Sequence, residues 1–132
     1  MVTARGSKVA MRALLLSFML VTTAQAGDGG VARRTLRDVK LLVFTATWCD
    51  SCRRFEAGGA LTQVAQKLPG LEFEPVDVDA HRDVVERYGV EVTPTLVVVD
   101  RSGFPLARPR IDLAEPTATA ERVVKLVQKL TR

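Results

Sequence analysis

Cys49 and Cys52 are the only two cysteines in this chain of 132 residues, and Asp50 and Ser51 stand between them. That spacing lets both sulfurs meet across the first turn of a helix. A dithiol and a disulfide then interconvert with little backbone movement. A disulfide closing so short a loop removes little chain entropy, so the pair reads as chemistry rather than as a staple. Cys49 is the expected attacking thiol. At a helix start, unpaired N–H groups and the helix dipole stabilise its thiolate. Arg53 and Arg54 add positive potential, whereas the Asp50 carboxylate opposes it. Asp50, Ser51 and Arg53 are therefore candidate modulators of the pair. Two other readings stay open: a fixed disulfide, and half of a zinc site. Zinc usually takes four ligands, and His81 is the one histidine in the chain. Asp77, Asp79 and His81 read as a strand-end acid, a helix cap and a solvated imidazole rather than as a metal site. No metal or organic cofactor is expected, the Cys49–Cys52 disulfide being itself the redox-active group.

The elements around the pair follow from hydrophobic pattern. Leu41 to Thr45 is a continuous apolar run and predicts a buried strand. Residues 31–39 predict a short helix before it. Cys49 to Lys67 predicts a helix with Phe55, Leu61, Val64, Ala65 and Leu68 inward, kinked or split at Gly58-Gly59. Leu71 to Val78 predicts a second strand. Asp79 is the expected cap of a helix from Ala80 to Tyr88, which Gly89 stops. Thr95 to Val99 predicts a third strand, and Asp100 to Gly103 a hairpin turn. Phe104 to Arg108 returns as an edge strand, to which Pro105 and Pro109 are suited. An amphipathic helix runs from Pro116 to Leu130. The order β-α-β-α-β-β-α predicts an α/β fold: a four-stranded mixed sheet, helices on both faces and a right-handed first crossover.

Residues 1–26 read as an export signal. Arg5, Lys8 and Arg12 form a positive start, Ala13 to Val21 an apolar stretch, and Ala24-Gln25-Ala26 a cleavage pattern. The apolar stretch is short of the roughly 20 residues that span a bilayer; an uncleaved N-terminal membrane anchor is the alternative. Residues 27–40 form a flexible or short-helical segment, and residues 41–132 the single domain. The whole chain carries a net charge of +4. Past residue 26 only 16 Lys and Arg stand against 15 Asp and Glu, a net of +1. No basic stripe with interleaved aromatics is present, so nucleic acid is not an expected partner. An exported, periplasmic setting is expected and suits a persistent disulfide, and no leftover apolar stripe calls for a second copy, so a monomer is expected.

The chain resembles the thioredoxin family in three places. These are the strand leading into Trp48-Cys49-x-x-Cys52, the segment Val76-Asp77-Val78-Asp79, and Tyr88-Gly89-Val90-x-x-Thr93-Pro94-Thr95-Leu96. The resemblance covers Leu41 to Leu130. It implies a thioredoxin-like fold, a cis Thr93–Pro94 bond facing the sulfurs, and a more buried Cys52 that resolves a mixed disulfide on Cys49. Backbone groups of Thr93, with Pro94 and the edge of Trp48, would bind an extended partner segment. The implied activity is thiol:disulfide exchange with protein disulfides or thiols in the exported compartment. The sequence departs from the family at two points. Asp50-Ser51 replaces the Gly-Pro of cytosolic members and holds no histidine, which favours a reductant over a disulfide oxidant or isomerase. Val43 stands where thioredoxins carry a buried Asp that helps deprotonate the second cysteine; the Cys52 proton is then expected to go to water or to a carboxylate, with Asp50 and Glu74 as candidates. Residues 52–56 are similar to the exported thioredoxin-like domain of membrane thiol:disulfide interchange reductases, which implies a membrane electron donor. A thioredoxin-fold binding module without turnover, and a thiol donor for copper or haem assembly, remain open alternatives.

Overall fold

The computed structural model describes residues 33–132; the leader, and the first two residues of the helix expected over 31–39, lie outside them. Four strands and four α-helices follow in order: β1 (Val39–Thr45), α1 (Asp50–Ala57), α2 (Ala60–Lys67), β2 (Glu72–Asp77), α3 (Arg82–Tyr88), β3 (Thr95–Asp100), β4 (Pro105–Ala107) and α4 (Pro116–Leu130). The sheet order is β2-β1-β3-β4. β1 and β2 are parallel, with Val43 opposite Pro75. β3 runs antiparallel to β1 and to β4.

Leu41 to Phe44 of β1 are buried on both faces of the sheet, which explains the apolar run there. Strand side chains alternate between faces. Leu41 and Val43 pack with Phe55, Val64, Leu96, Val123 and Val127 under α1, α2 and α4. Leu42 and Phe44 pack with Val76, Tyr88, Val97 and Val99 under α3. The sheet thus carries helices on both faces, as the element order implied.

Four local expectations need correction. The residues before β1 form a single 3-10 turn, Leu36–Asp38, and β1 begins two residues early at Val39. Asp38 explains the turn: its Oδ2 accepts from Thr35 N–H at 2.7 Å and Thr35 Oγ1 at 2.9 Å. The long helix splits at Gly58-Gly59 as expected, but the break shifts the inward face, so that Ala60 is buried and Ala65, expected inward, is exposed. α3 begins at Arg82 and Asp79 does not cap it. Instead Asp77 Oδ1 accepts from Asp79 N–H at 2.8 Å and Ala80 N–H at 3.4 Å, holding those residues in a turn. β4 is only three residues long, with a register shift between Val98 and Val99.

The hairpin between β3 and β4 is built on Asp100. Its Oδ1 accepts from Ser102 Oγ at 2.6 Å, Ser102 N–H at 2.9 Å and Phe104 N–H at 3.0 Å. The Ser102 hydroxyl first, then the Phe104 N–H, hold its carboxyl below the usual carboxylate range. Gly103 closes the turn at φ 87°, a conformation glycine adopts without a Cβ penalty. Tyr88 Oη donates to Gly103 O at 2.6 Å and fixes the hairpin to α3.

Candidate active site

β1 delivers the chain to one end of the sheet, and a tight turn then starts α1. Cys49 N–H donates to Ala46 O at 3.2 Å. Cys49 occupies the N-cap of α1, and its Sγ accepts from Cys52 N–H at 3.1 Å. The sulfur thereby takes the place of the usual capping oxygen. It rests where unpaired N–H groups and the helix dipole favour negative charge. The two cysteines form a disulfide with their Cα atoms 5.2 Å apart, within the range such a bridge requires. Both are buried, Cys49 at 4% exposure and Cys52 at 3%. The contrast in exposure that the resemblance implied is absent from this oxidised form.

Thr93 covers Cys49 from the opposite side. The Thr93–Pro94 bond is cis. Thr93 Oγ1 donates to Cys49 Sγ at 3.2 Å, and Thr93 O lies 3.6 Å from the same sulfur. The sequence reading gave Thr93 a backbone role only. Its hydroxyl contact joins residues 44 apart in the chain, and no local pattern encodes it.

The charges near the pair are arranged differently from the expectation. Arg53 donates to Asp50 Oδ1 at 2.9 Å and to Thr47 O at 2.8 Å. The guanidinium therefore offsets the Asp50 carboxylate instead of facing the sulfurs. Arg54 is exposed. Asp79, freed from capping, accepts the Trp48 indole N–H at 2.8 Å on its Oδ2. The bond fixes an indole that is otherwise 63% exposed.

A groove of about 600 Å³ opens beside Cys49. It brings together Trp48, Cys49, Asp50, Ser51 and Thr93 from the expected set; Arg53 touches it through Asp50, and Pro94 adjoins it through the cis bond. The sequence reading missed Val92, Arg82, Glu86 and Glu91 on its walls. An apolar residue left 70% exposed in the loop before Thr93, as Val92 is, carries no signal until the fold is known.

Val43 is buried on the face of the sheet that packs against Phe55 and Val64. Neither proposed substitute for an acid at that place is free. Asp50 is bound by Arg53 at the surface. Glu74 is paired with Lys40, in a separate groove with Leu42 and Tyr88. Its carboxylate holds the Lys40 ammonium above its ordinary range. Glu56, one turn after Cys52, does line a shallow groove with Val43 and Pro75. Among the described residues no carboxylate or histidine is buried. Among the same residues no three His, Cys, Asp or Glu side chains are grouped to hold a metal.

A family profile described as Thioredoxin matches residues 23–125. The chain belongs to the thioredoxin family. A thioredoxin H-type from Picea mariana is 42% identical over 65 residues, 47% of this chain and 50% of that relative. The chain spans about half the length of the curated relatives it matches. Among solved structures, thioredoxin from Trypanosoma brucei brucei superimposes with a TM-score of 0.55 at 25% identity, over 70% of this chain and 77% of that one. The oxidised form of mitochondrial thioredoxin 3 from Saccharomyces cerevisiae gives 0.53 at 30% identity, over 68% and 81%.

Proposed function

We propose that this protein is an exported thiol:disulfide oxidoreductase that reduces protein disulfides. The observation that carries the reading is the position of Cys49 Sγ. It caps α1, accepts N–H and O–H donors from Cys52 and Thr93, and borders an open groove. In the reduced protein a Cys49 thiolate attacks one sulfur of a partner disulfide. The new Cys49–sulfur bond forms as the partner's S–S bond breaks, and the first partner sulfur leaves as a thiolate. Cys52, as thiolate, then attacks Cys49 Sγ, and the second partner sulfur leaves. The partner gains two electrons, and the protein ends as the Cys49–Cys52 disulfide. Both departing thiolates take protons from water. A thiol donor, at the membrane in this proposal, restores the dithiol.

Export rests on the leader pattern, and the reducing direction on the absence of a histidine between the cysteines. The test has two parts. Insulin disulfides should be reduced by the dithiol form, and a Cys52→Ser variant should retain partners as mixed disulfides on Cys49. Equilibration with thiol buffers should then give a reduction potential near about −270 mV, while a value near about −120 mV would make the protein a disulfide donor. Val43, which leaves Cys52 without a buried acid, favours a second reading: a binding module with little turnover. Partner binding that persists in Cys49→Ser, with no insulin reduction by the parent, would support it.

A further inference from the structure

We infer that the groove beside Cys49 selects cationic partner segments, with Lys or Arg flanking the reacting cystine. This inference rests on the oxidoreductase reading and names the partner chemistry of that same site.

The walls of the groove carry Asp79, Glu86 and Glu91 as well as Asp50, against a single cation, Arg82. Asp50 is answered by Arg53. Among the described residues none of Asp79, Glu86 and Glu91 is in an ion pair. Arg82 precedes Glu86 by one turn of α3 without pairing with it. Past residue 26 the chain is close to charge balance, at +1, so this acidic surface is a local concentration of charge beside Cys49. A concave, partly apolar wall focuses such a field and raises the local concentration of opposite charge.

The apolar part of the groove fits the same partner. Trp48 and Val92 stand exposed on the walls of the same groove as Cys49. The stem of a Lys or Arg packs along an aromatic face while its head stays in water. A cation over an indole gains further attraction. A segment laid along the Val92–Thr93 backbone would set its cystine against Cys49. Its flanking side chains would fall between the indole and the carboxylates of α3 and of the loop after it. An acidic segment meets repulsion at the same place. The exchange chemistry is unchanged and needs no further reactant.

The test compares two peptides with the same intramolecular disulfide, one flanked by lysines and one by glutamates. The rate constant for reduction by the dithiol protein is measured for each at low and high salt. The expected result is a preference for the lysine peptide of about tenfold at low ionic strength. It should fall below about twofold near ~1 M salt, where the Debye length is about 3 Å. A Glu86→Gln, Glu91→Gln double variant should lower the low-salt preference at least about threefold, because it removes two of three unpaired carboxylates. Equal rates for the two peptides, or a preference that neither salt nor the double variant changes, would overturn the inference and leave the oxidoreductase reading standing. Reduction of neither peptide would overturn both.

Discussion

Thr93→Val tests whether the Thr93 hydroxyl sets the acidity of Cys49. Valine keeps the shape of the side chain and deletes the O–H that donates to Cys49 Sγ at 3.2 Å. A hydrogen bond to a charged group contributes about 1.5–3 kcal/mol. Sulfur accepts more weakly than oxygen, and this contact is only part-buried, so about 1 kcal/mol is the reasonable share here. That corresponds to about fivefold less Cys49 thiolate at a pH where the thiol form predominates. The reactivity should fall less than the population. A more basic thiolate is a better nucleophile, with a Brønsted coefficient of about 0.4–0.5, so alkylation should slow only about two- to threefold. Thiolate absorbance reads the first quantity and the rate of alkylation the second, both on the reduced Cys52→Ser background. Thr93→Ser, which retains the hydroxyl, should restore both values. The reasoning fails if Thr93→Val leaves the thiolate population unchanged, or if Thr93→Ser lowers it as much as valine does.

Three further outcomes are expected. A Cβ at Gly58 would lie 2.7 Å from Pro116 Cγ, so Gly58→Ala should cost about 1–3 kcal/mol by overpacking α1 against α4. The denaturant midpoint measures it, and an unshifted midpoint would refute the contact. Thr119 is fully buried, and its Oγ1 accepts from Asp112 N–H at 2.8 Å and donates to Asp112 O at 3.1 Å. Thr119→Val strands both groups and should destabilise the chain by about 1–3 kcal/mol in the same assay; a neutral result would mean that water replaces the hydroxyl. Hydrogen bonds also hold Asp38 and Asp100 below the usual carboxylate range, from Thr35 N–H and the Ser102 hydroxyl respectively. A depressed folded-state pKa gives stability that is present above the ordinary value near about 3.9 and is lost as the pH falls through the folded one. Urea midpoints should therefore decline below about pH 4, and Asp100→Asn should flatten that decline; superimposable acid limbs would remove Asp100 from the account.

The parts of this fold that can be read from sequence are those with a period or a turn chemistry of their own. Leu41 to Thr45 and Thr95 to Val99 are apolar enough to be strands in any context. Gly58-Gly59 announces the break between α1 and α2, and Asp100 to Gly103 the hairpin. The failures arise where a side chain has a distant alternative. Asp79 has the composition of a helix cap, but the Trp48 indole claims it. Arg53 has the sign to activate a thiolate, but Asp50 and Thr47 claim it. Ala65 fits the inward face of a continuous helix, and the break turns it outward. The cysteine pair is visible as chemistry because its residue types and spacing are local. The acidic wall facing it is not visible, because Asp79, Glu86 and Glu91 converge only after α3 and the Thr93 loop have packed.

Val43 has a consequence for kinetics. With valine at position 43, and no carboxylate or histidine buried among the described residues, those residues offer no buried relay for the proton that Cys52 would release in the proposed exchange. On that reading, resolution of a mixed disulfide would draw on bases dissolved around the protein. Its rate should climb with buffer concentration at constant pH and ionic strength. The speed of the proposed exchange would then be set partly by the composition of the compartment in which it takes place.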